Sequence, residues 1–242
     1  MKPTLIVIGA DKGGVGKTTV ARIIVDYLAS RNVLTRAFDT ETPRGNLQRF
    51  HPDATVVVDI TQTSDQMRIL DTLKLAQIKV SLLDTRVGAL TTSLQALRDV
   101  GFLAAVKAGE YNLVVFHVLG PSVASLSEIA KTAPYVADAN YFLVKNYIND
   151  STFFDWNPAM AGAYFDKVKR SAEVTIPKLD AMACEQVEIA SLPFSTFVAN
   201  KTISGTPAAH SFTLRGCVRT WQKRNAEEFN RIRLLDLIAG RI

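Results

Sequence analysis

Apolar runs alternate along the chain with segments in which apolar residues recur every three to four positions. The first run, Leu5-Ile6-Val7-Ile8-Gly9, predicts a buried strand, and residues 18–30 have the spacing of an amphipathic helix. The same patterns predict further strands at residues 33–38, 54–60, 79–83, 113–116, 141–144 and 174–176, and helices at residues 65–76, 90–108, 123–131 and 212–238.

Apolar strands that alternate with helices indicate an α/β fold, in which a doubly wound and mostly parallel sheet carries helices on both faces. The chain shows neither an internal repeat nor a low-complexity linker. Residues 146–163 are the least regular stretch, and we expect them to form a surface excursion and not a domain boundary. We therefore predict a single domain over residues 1–242.

A glycine-rich segment connects the first predicted strand to the first predicted helix. Residues 11–19 read DKGGVGKTT. Such a loop can turn successive backbone N–H groups toward phosphate oxygens, and the N-terminus of the following helix favours the same anion. Lys17 would supply positive charge to the β- and γ-phosphates, and Thr18 a hydroxyl for Mg²⁺. The predicted nucleotide-binding residues here are Lys12, Gly13, Gly14, Val15, Gly16, Lys17, Thr18 and Thr19.

The loop departs from the common phosphate-loop pattern in two ways. Asp11 stands where the first glycine is expected, and a second lysine, Lys12, lies near the start of the loop. This variant resembles the deviant Walker loop of the ParA/MinD family of P-loop ATPases. The resemblance implies that the nucleotide is ATP and that an ATP-bound homodimer forms, in which Lys12 reaches the other subunit's nucleotide. It also implies slow hydrolysis that an activating partner protein stimulates.

Two aspartates follow predicted strands next to this loop. Asp39 ends the second strand, and residues 39–46 resemble the family's switch segment, although Glu41 replaces its second aspartate and one extra residue precedes Gly45. Asp84 ends the strand at residues 79–83 and opens DTRVG, which resembles the family's D-T-P-P-G signature. Carboxylate oxygens suit Mg²⁺ and can position an attacking water. We predict Mg²⁺ ligands at Thr18, Asp39 and Asp84, and catalytic roles for Lys12, Lys17 and Asp39.

The role of each aspartate has a competing interpretation. An aspartate after a strand also serves as a turn cap, so the sequence leaves both roles open for Asp39. The strand at residues 113–116 ends at His117, which competes with Asp84 for the place beside the metal. Because Mg²⁺ prefers oxygen ligands, we favour Asp84 and expect His117 to be a hydrogen-bonded histidine of the core or the sheet edge.

The sequence gives only weak evidence for the residues that bind the nucleotide base. Asn146 follows the strand at residues 141–144, and its amide can donate and accept hydrogen bonds at an adenine edge. Pro177 belongs to an Ile-Pro pair that resembles the pair near the base in the ParA/MinD family. Turn chemistry explains both residues equally well, so the expectation of ATP rests on the family resemblance.

Charge and cysteine content narrow the function classes. The formal net charge is +5, and the two cysteines, Cys184 and Cys217, form no C-x-x-C motif, which argues against a zinc ribbon or a shared iron–sulfur cluster. In the last predicted helix, Arg215, Arg219 and Lys223 recur every four residues, with Arg224 beside them. These four residues form either a surface for nonspecific DNA binding or a solvated helix face. The resemblance to ParA favours DNA.

The apolar N-terminal run is too short for a signal peptide, and nothing approaches an uninterrupted transmembrane span. We expect a cytoplasmic protein without stable membrane insertion. Residues 234–238 suggest a MinD-like membrane helix, but their shortness and Asp236 favour packing on the core.

Three functions follow from these patterns. The first is an ATPase of DNA partition, positioning or conjugal transfer, because the strand around His117 and the spacing from the loop to Asp84 are similar to those of TraL-type conjugation proteins. The second is a membrane-associated MinD-like switch. The third is a small-molecule ATP-dependent enzyme of the same loop class.

Overall fold

One parallel sheet organises the protein. The computed structural model describes residues 2–10, 12–43, 45–75, 77–120, 124–148, 153 and 170–241. Within these residues seven strands form a sheet of order β3-β2-β4-β1-β5-β6-β7, and all neighbouring strands run parallel. The strands are β1 (Thr4–Gly9), β2 (Thr35–Asp39), β3 (Thr55–Val57), β4 (Val80–Asp84), β5 (Asn112–Val118), β6 (Asn140–Asn146) and β7 (Arg170–Ile176).

Helices cover both faces of this sheet, as the sequence predicted. Alternate residues of β1 enter two separate apolar clusters, because successive strand side chains point to opposite faces: Ile6 and Ile8 join one cluster, and Leu5 and Val7 the other. The described helices are α1 (Lys17–Ser30), α2 (Asn46–Phe50), α3 (Thr63–Thr72), α4 (Leu90–Asp99), α5 (Phe102–Lys107), α6 (Ala124–Val136), α7 (Ala181–Ala190), α8 (Phe194–Val198), α9 (Phe212–Arg231) and α10 (Leu234–Ala239).

Two helices that the sequence predicted as continuous are interrupted. The helix predicted at residues 212–238 is divided into α9 and α10, because Arg233 adopts a left-handed conformation with φ of 55°. This reversal returns Leu234, Leu237 and Ile238 to the core, where all three are buried. The helix predicted at residues 90–108 is likewise divided into α4 and α5, because Gly101 has φ of 80°.

Other boundaries move by a few residues. The predicted strand at residues 54–60 is only the three-residue β3, and the helix predicted at residues 123–131 continues to Val136 with Pro134 inside it. The helix predicted at residues 65–76 begins earlier and ends at Thr72. Three short helices, α2, α7 and α8, were not predicted. The expected excursion at residues 146–163 lies mostly outside the described residues.

The C-terminal helices lie against the same face of the sheet as α1. Ser211 caps the N-terminus of α9, since its hydroxyl accepts a hydrogen bond from the backbone N–H of Leu214. The buried residues of α9 are Val218, Trp221, Asn225 and Phe229, which recur at helical spacing. In the part of the chain that the structure describes, no helix has both the length and the apolar character needed to cross a membrane.

Side chains of α9 also cover the outer edge of the sheet at β7. The backbone N–H of Thr175 donates to a Glu228 carboxylate oxygen at 3.0 Å, and Arg231 donates from Nη2 to the carbonyl of Glu173 at 2.6 Å. Arg231 and Glu228 are themselves paired at 2.8 Å. Two outward backbone groups of an edge strand, which a further strand would otherwise use, are therefore bonded to one helix.

Candidate nucleotide-binding site

The glycine-rich loop connects the end of β1 to the start of α1. Gly14 and Gly16 have φ of 77° and 79°, in the left-handed region that glycine adopts without strain. A Cβ on Gly16 would overlap the amide nitrogen of Asn146. Both the backbone conformation and this close contact therefore require glycine at position 16. Asp11 lies outside the described residues, so its position is not part of this geometry.

Three of the predicted site residues meet at the end of this loop. The Nζ atom of Lys17, whose side chain is 5% exposed, donates to Asp84 Oδ1 at 2.5 Å. Thr18 donates from its hydroxyl to Asp84 Oδ2 at 3.2 Å, and Lys17 Nζ lies 3.4 Å from the same hydroxyl. Burial raises the pKa of Asp84 to about 6, and the charge of Lys17 opposes this rise. The site thus holds a buried and mutually compensated ion pair where the loop enters α1.

The second predicted aspartate lies on the neighbouring strand. Asp39 and Asp84 are register partners at the carboxyl ends of β2 and β4, so both belong to the edge of the sheet that carries the loop. Asp39 is fully buried and accepts hydrogen bonds from the backbone N–H groups of Glu41 at 3.0 Å, Leu47 at 2.7 Å and Gln48 at 3.3 Å. A Cβ on Gly45 would collide with this carboxylate. In this structure Asp39 therefore holds the first turn of α2, which is the turn-capping role that the sequence left open; its catalytic role stays a prediction.

The two residues predicted near the base border one cavity. Asn146 donates from Nδ2 to the carbonyls of Val15 and Gly16, at 3.0 and 3.3 Å, and so supports the loop. The carbonyl of Pro177 accepts a hydrogen bond from the Trp221 indole at 2.6 Å. Both residues line a cavity of about 650 Å³, and Thr19 lines it too. Its apolar wall consists of Ile148, Leu179, Phe194 and Trp221, and its polar lining includes Arg22, Lys178, Glu185 and Glu188.

The remaining predicted residues lie elsewhere. His117 is fully buried, and its Nδ1 forms a hydrogen bond of 2.7 Å with the Tyr141 hydroxyl, which confirms the expectation of a hydrogen-bonded core histidine. On α9, Arg219, Lys223 and Arg224 are exposed. Arg215 is partly buried and directs Nη1 toward the carbonyl of Val198 at 3.4 Å. Of the four residues predicted to bind DNA, Arg219, Lys223 and Arg224 therefore present their side chains to solvent.

The residues at the loop fit a magnesium ion. The Thr18 hydroxyl and the Asp84 carboxylate are hard oxygen donors already in contact, and Mg²⁺ is commonly held by one or two such groups together with phosphates and water. A site made by protein side chains alone is a different matter: among the described residues, no group of three or more His, Cys, Asp or Glu side chains is arranged to hold a metal.

Sequence reasoning missed part of this site. The α7 wall of the cavity and Trp221 were not predicted, although Asp180, which caps α7 by accepting from the Ala183 N–H at 2.9 Å, is a recognisable helix-start signal. Arg22 also lines the cavity, and its position within an apolar helix gave no hint of this.

Solved structures share this architecture. The MinD cell division protein of Aquifex aeolicus aligns with a TM-score of 0.51 and 14% identity, over 91% of this chain and 97% of that protein. A ParA family ATPase of Chlorobium tepidum aligns with a TM-score of 0.51 and 13% identity, over 92% and 98% of the two chains. The chain has the fold of MinD and ParA.

A weaker likeness is to a nucleotide-binding protein of Archaeoglobus fulgidus solved with ADP, at a TM-score of 0.47 and 16% identity, over 76% of this chain and 85% of that one. Neither the comparison with protein-family models nor the comparison with curated proteins finds a match. The MinD/ParA fold confirms the predicted doubly wound α/β architecture.

Proposed function

We propose that this protein is a Mg²⁺-dependent ATPase that acts as a nucleotide-controlled switch. The observation that carries the proposal is the contact of Lys17 and Thr18 with the buried Asp84 at the end of a glycine-rich loop. A buried ion pair is costly to break unless each charge finds a new partner. Phosphate for Lys17 and Mg²⁺ for Asp84 would provide that exchange, so the site is suited to a metal–nucleotide complex.

Each side chain has a distinct part in this proposal. Thr18 and Asp84 hold the metal, and Lys17 stabilises charge on the transferring phosphoryl group. When bound, Mg²⁺ would neutralise charge that develops on the phosphate oxygens. Asp39 orients the attacking water once its carboxylate is released from the N–H groups of Leu47 and Gln48. Asn146 and Pro177 border the cavity beside Thr19 that accepts the nucleoside.

The proposal extends to the assembly. Two ATP-bound copies close with their loops facing each other, and Lys12 of each copy contacts the nucleotide of the other. An activating protein partner then accelerates hydrolysis, which reopens the dimer. We further propose that residues 1–242 form one ATPase domain and that the protein works in the cytoplasm. The fold shared with MinD and ParA supports this assembly, and the altered segment around Glu41 is the point at which its kinetics would differ from theirs.

Calorimetry and phosphate release test the core of the proposal. Titrations with ATP, ADP and GTP, each with and without Mg²⁺, should show binding of adenine nucleotides that Mg²⁺ strengthens, and the protein should release phosphate slowly from ATP. GTP should bind more weakly. Failure of all three nucleotides to bind at millimolar concentration would contradict the proposal.

Nonspecific DNA binding in the ATP state is the finer part of the proposed function. It is supported by the exposed Arg219, Lys223 and Arg224 on one helix and by the net charge of +5. Such a surface would serve partition, positioning or conjugal transfer, because contacts with the phosphate backbone bind DNA of any sequence.

Fluorescence anisotropy of a random-sequence duplex tests this surface. We expect binding with ATP but not with ADP, which weakens steeply as salt rises because counterions are released. Reversal of two charges, Arg219→Glu with Lys223→Glu, should weaken binding by about tenfold or more, since each phosphate contact contributes to affinity. The matched control, Lys107→Glu with Lys201→Glu, makes the same change of net charge at exposed positions outside α9 and should bind as the wild type does.

Two further assays, of liposome binding and of ATP turnover, test the alternative functions. Binding to anionic liposomes instead of DNA, lost when residues after Arg233 are removed, would favour the membrane-associated switch. A strong increase of ATP turnover with a small organic acid would favour the metabolic enzyme. Equal loss of DNA binding in both charge-reversed variants would show that only the overall charge matters.

A further inference from the structure

A charged side chain is buried beneath the candidate site without an evident need for it. Arg22 lies on α1, and its side chain is 2% exposed. Nη1 is paired with the carboxylate of Glu188, whereas Nε and Nη2 are buried and, among the described residues, have no hydrogen-bond partner. Burial lowers the pKa of Arg22, and the Glu188 charge opposes this effect. An apolar residue would avoid the cost of desolvating the guanidinium, so this arginine needs an explanation beyond packing.

The surroundings of Arg22 come from three other elements. The guanidinium carbon lies 3.4 Å from the ring centre of Phe50, the last residue of α2, and 4.2 Å from the ring centre of Phe194 in α8. Glu188 belongs to α7 and lines the cavity beside Thr19, as Arg22 itself does. The planar guanidinium thus stacks on the Phe50 ring at the end of α2 and forms an ion pair with Glu188 in the cavity wall.

Contacts with other elements hold helix α2 at both of its ends. Its first turn is bonded to Asp39 through the N–H groups of Leu47 and Gln48. Its last residue, Phe50, contacts Arg22. A second connection runs along the surface, where Arg49 donates to the carbonyl of Glu188 and, from Nε, to the Ser191 hydroxyl at 2.9 Å. The short helix therefore lies between the carboxylate at the sheet edge and the wall of the cavity.

We propose that Arg22 is a positioning residue that couples α2, and through it Asp39, to the α7 wall of the cavity. This inference rests on the ATPase proposed above. Release of Leu47 and Gln48 by Asp39 frees the first turn of α2, and the Phe50 ring moves with the helix. Arg22 follows because its two unpartnered nitrogen atoms can form a hydrogen bond with the second oxygen of Glu188, which lies 3.9 Å from Nη1 of Arg49. Whether Asp39 is bonded to α2 then alters the shape of the cavity that holds the nucleoside. Events at the phosphate end of the nucleotide are thereby coupled to its nucleoside end.

Arginine is required for this coupling and lysine does not replace it. A lysine keeps the charge and an ion pair with Glu188, but it lacks the flat surface that stacks on Phe50 and the fork of donors that can shift between carboxylate oxygens. If Arg22 only filled space, Arg22→Met would leave the discrimination between ATP and ADP unchanged. These two expectations separate coupling from packing.

The test compares the affinities for ATPγS and ADP, each with Mg²⁺, by calorimetry on the full chain. In Arg22→Met and Arg22→Lys we expect the ratio of the ATPγS affinity to the ADP affinity to fall about tenfold, within the range typical of coupled sites. Arg31→Met is the matched control, because Arg31 follows α1, is exposed, and lies 5.5 Å from the Tyr27 ring. Its affinity ratio should equal that of the wild type.

Other variants keep the proposal testable if the Arg22 variants do not fold. Arg49→Met changes an exposed side chain and removes the surface connection, so it should lower the ratio partially. Glu188→Gln should lower it as far as Arg22→Met does, with no further loss when the two are combined. An unchanged ratio in the folded Arg22 variants, or in both Arg49→Met and Glu188→Gln, would overturn the coupling alone. A wild type that binds neither nucleotide would overturn the proposed function as well.

Discussion

Lys17→Ala is expected to abolish binding of Mg·ATP and to lower the free energy of unfolding by about 3–5 kcal/mol, the cost of leaving one member of a buried ion pair unpaired. The reason is the position of Asp84, which is 1% exposed and has Lys17 as its cationic partner at 2.5 Å. Calorimetric titration with ATP measures the first effect, and denaturation in urea measures the second.

A double variant separates the two effects of Lys17. Lys17→Ala with Asp84→Asn removes the orphaned charge, so it should recover most of the lost stability without recovering ATP binding. Lys201→Ala, at an exposed position, is the control and should match the wild type in both measurements. ATP affinity that survives Lys17→Ala unchanged would show that the glycine-rich loop does not bind phosphate.

Lys12→Ala is expected to reduce ATP turnover by about 10³- to 10⁵-fold, the range seen when a cation supplied to the transferring phosphoryl group is removed. The same substitution should abolish ATP-dependent dimerisation, whereas the affinity of the monomer for ATP should change little. The physical reason is that, in the proposed dimer, the charge of Lys12 would act on the nucleotide of the other subunit. Phosphate release and sedimentation with ATPγS measure the two effects.

A mixing experiment asks whether Lys12 acts across the interface. Subunits carrying Lys12→Ala and subunits carrying Lys17→Ala are each expected to be inactive alone. In a mixture, the Lys17→Ala subunit still offers its own Lys12 to the ATP held by the other, and part of the turnover should return. If no turnover returns, Lys12 serves the nucleotide of its own subunit. Intact dimerisation and turnover in Lys12→Ala would refute the mechanism altogether.

The parts of the site that the sequence predicted are those governed by local patterns. An apolar run followed by a glycine-rich loop indicates a strand, a turn and a helix, and each of Asp39 and Asp84 ends a recognisable strand. Because the sheet is parallel, residues that end different strands meet at one edge. This rule predicts that Asp39 and Asp84 lie at the edge that carries the loop, and the structure adds that they are register partners on neighbouring strands.

The parts that escaped prediction depend on contacts between distant segments. The apolar spacing continues across Arg233, and a non-glycine residue in the left-handed conformation has no reliable sequence signal. The division of α9 from α10 could therefore not be predicted from the sequence. The burial of Arg22 is created by Phe50, Glu188 and Phe194, none of which is near it in sequence. The donation from Asn146 to the loop carbonyls is likewise a tertiary contact that turn chemistry does not reveal.

The covering of β7 by α9 has a consequence for the way other proteins can approach this side of the molecule. An extended peptide that lies along β7 finds the N–H of Thr175 and the carbonyl of Glu173 already bonded to Glu228 and Arg231. To pair with the strand at these positions it would have to break both of these hydrogen bonds. At these two positions α9 side chains occupy backbone groups that a further strand would use, so this part of the edge is protected from main-chain pairing with another protein.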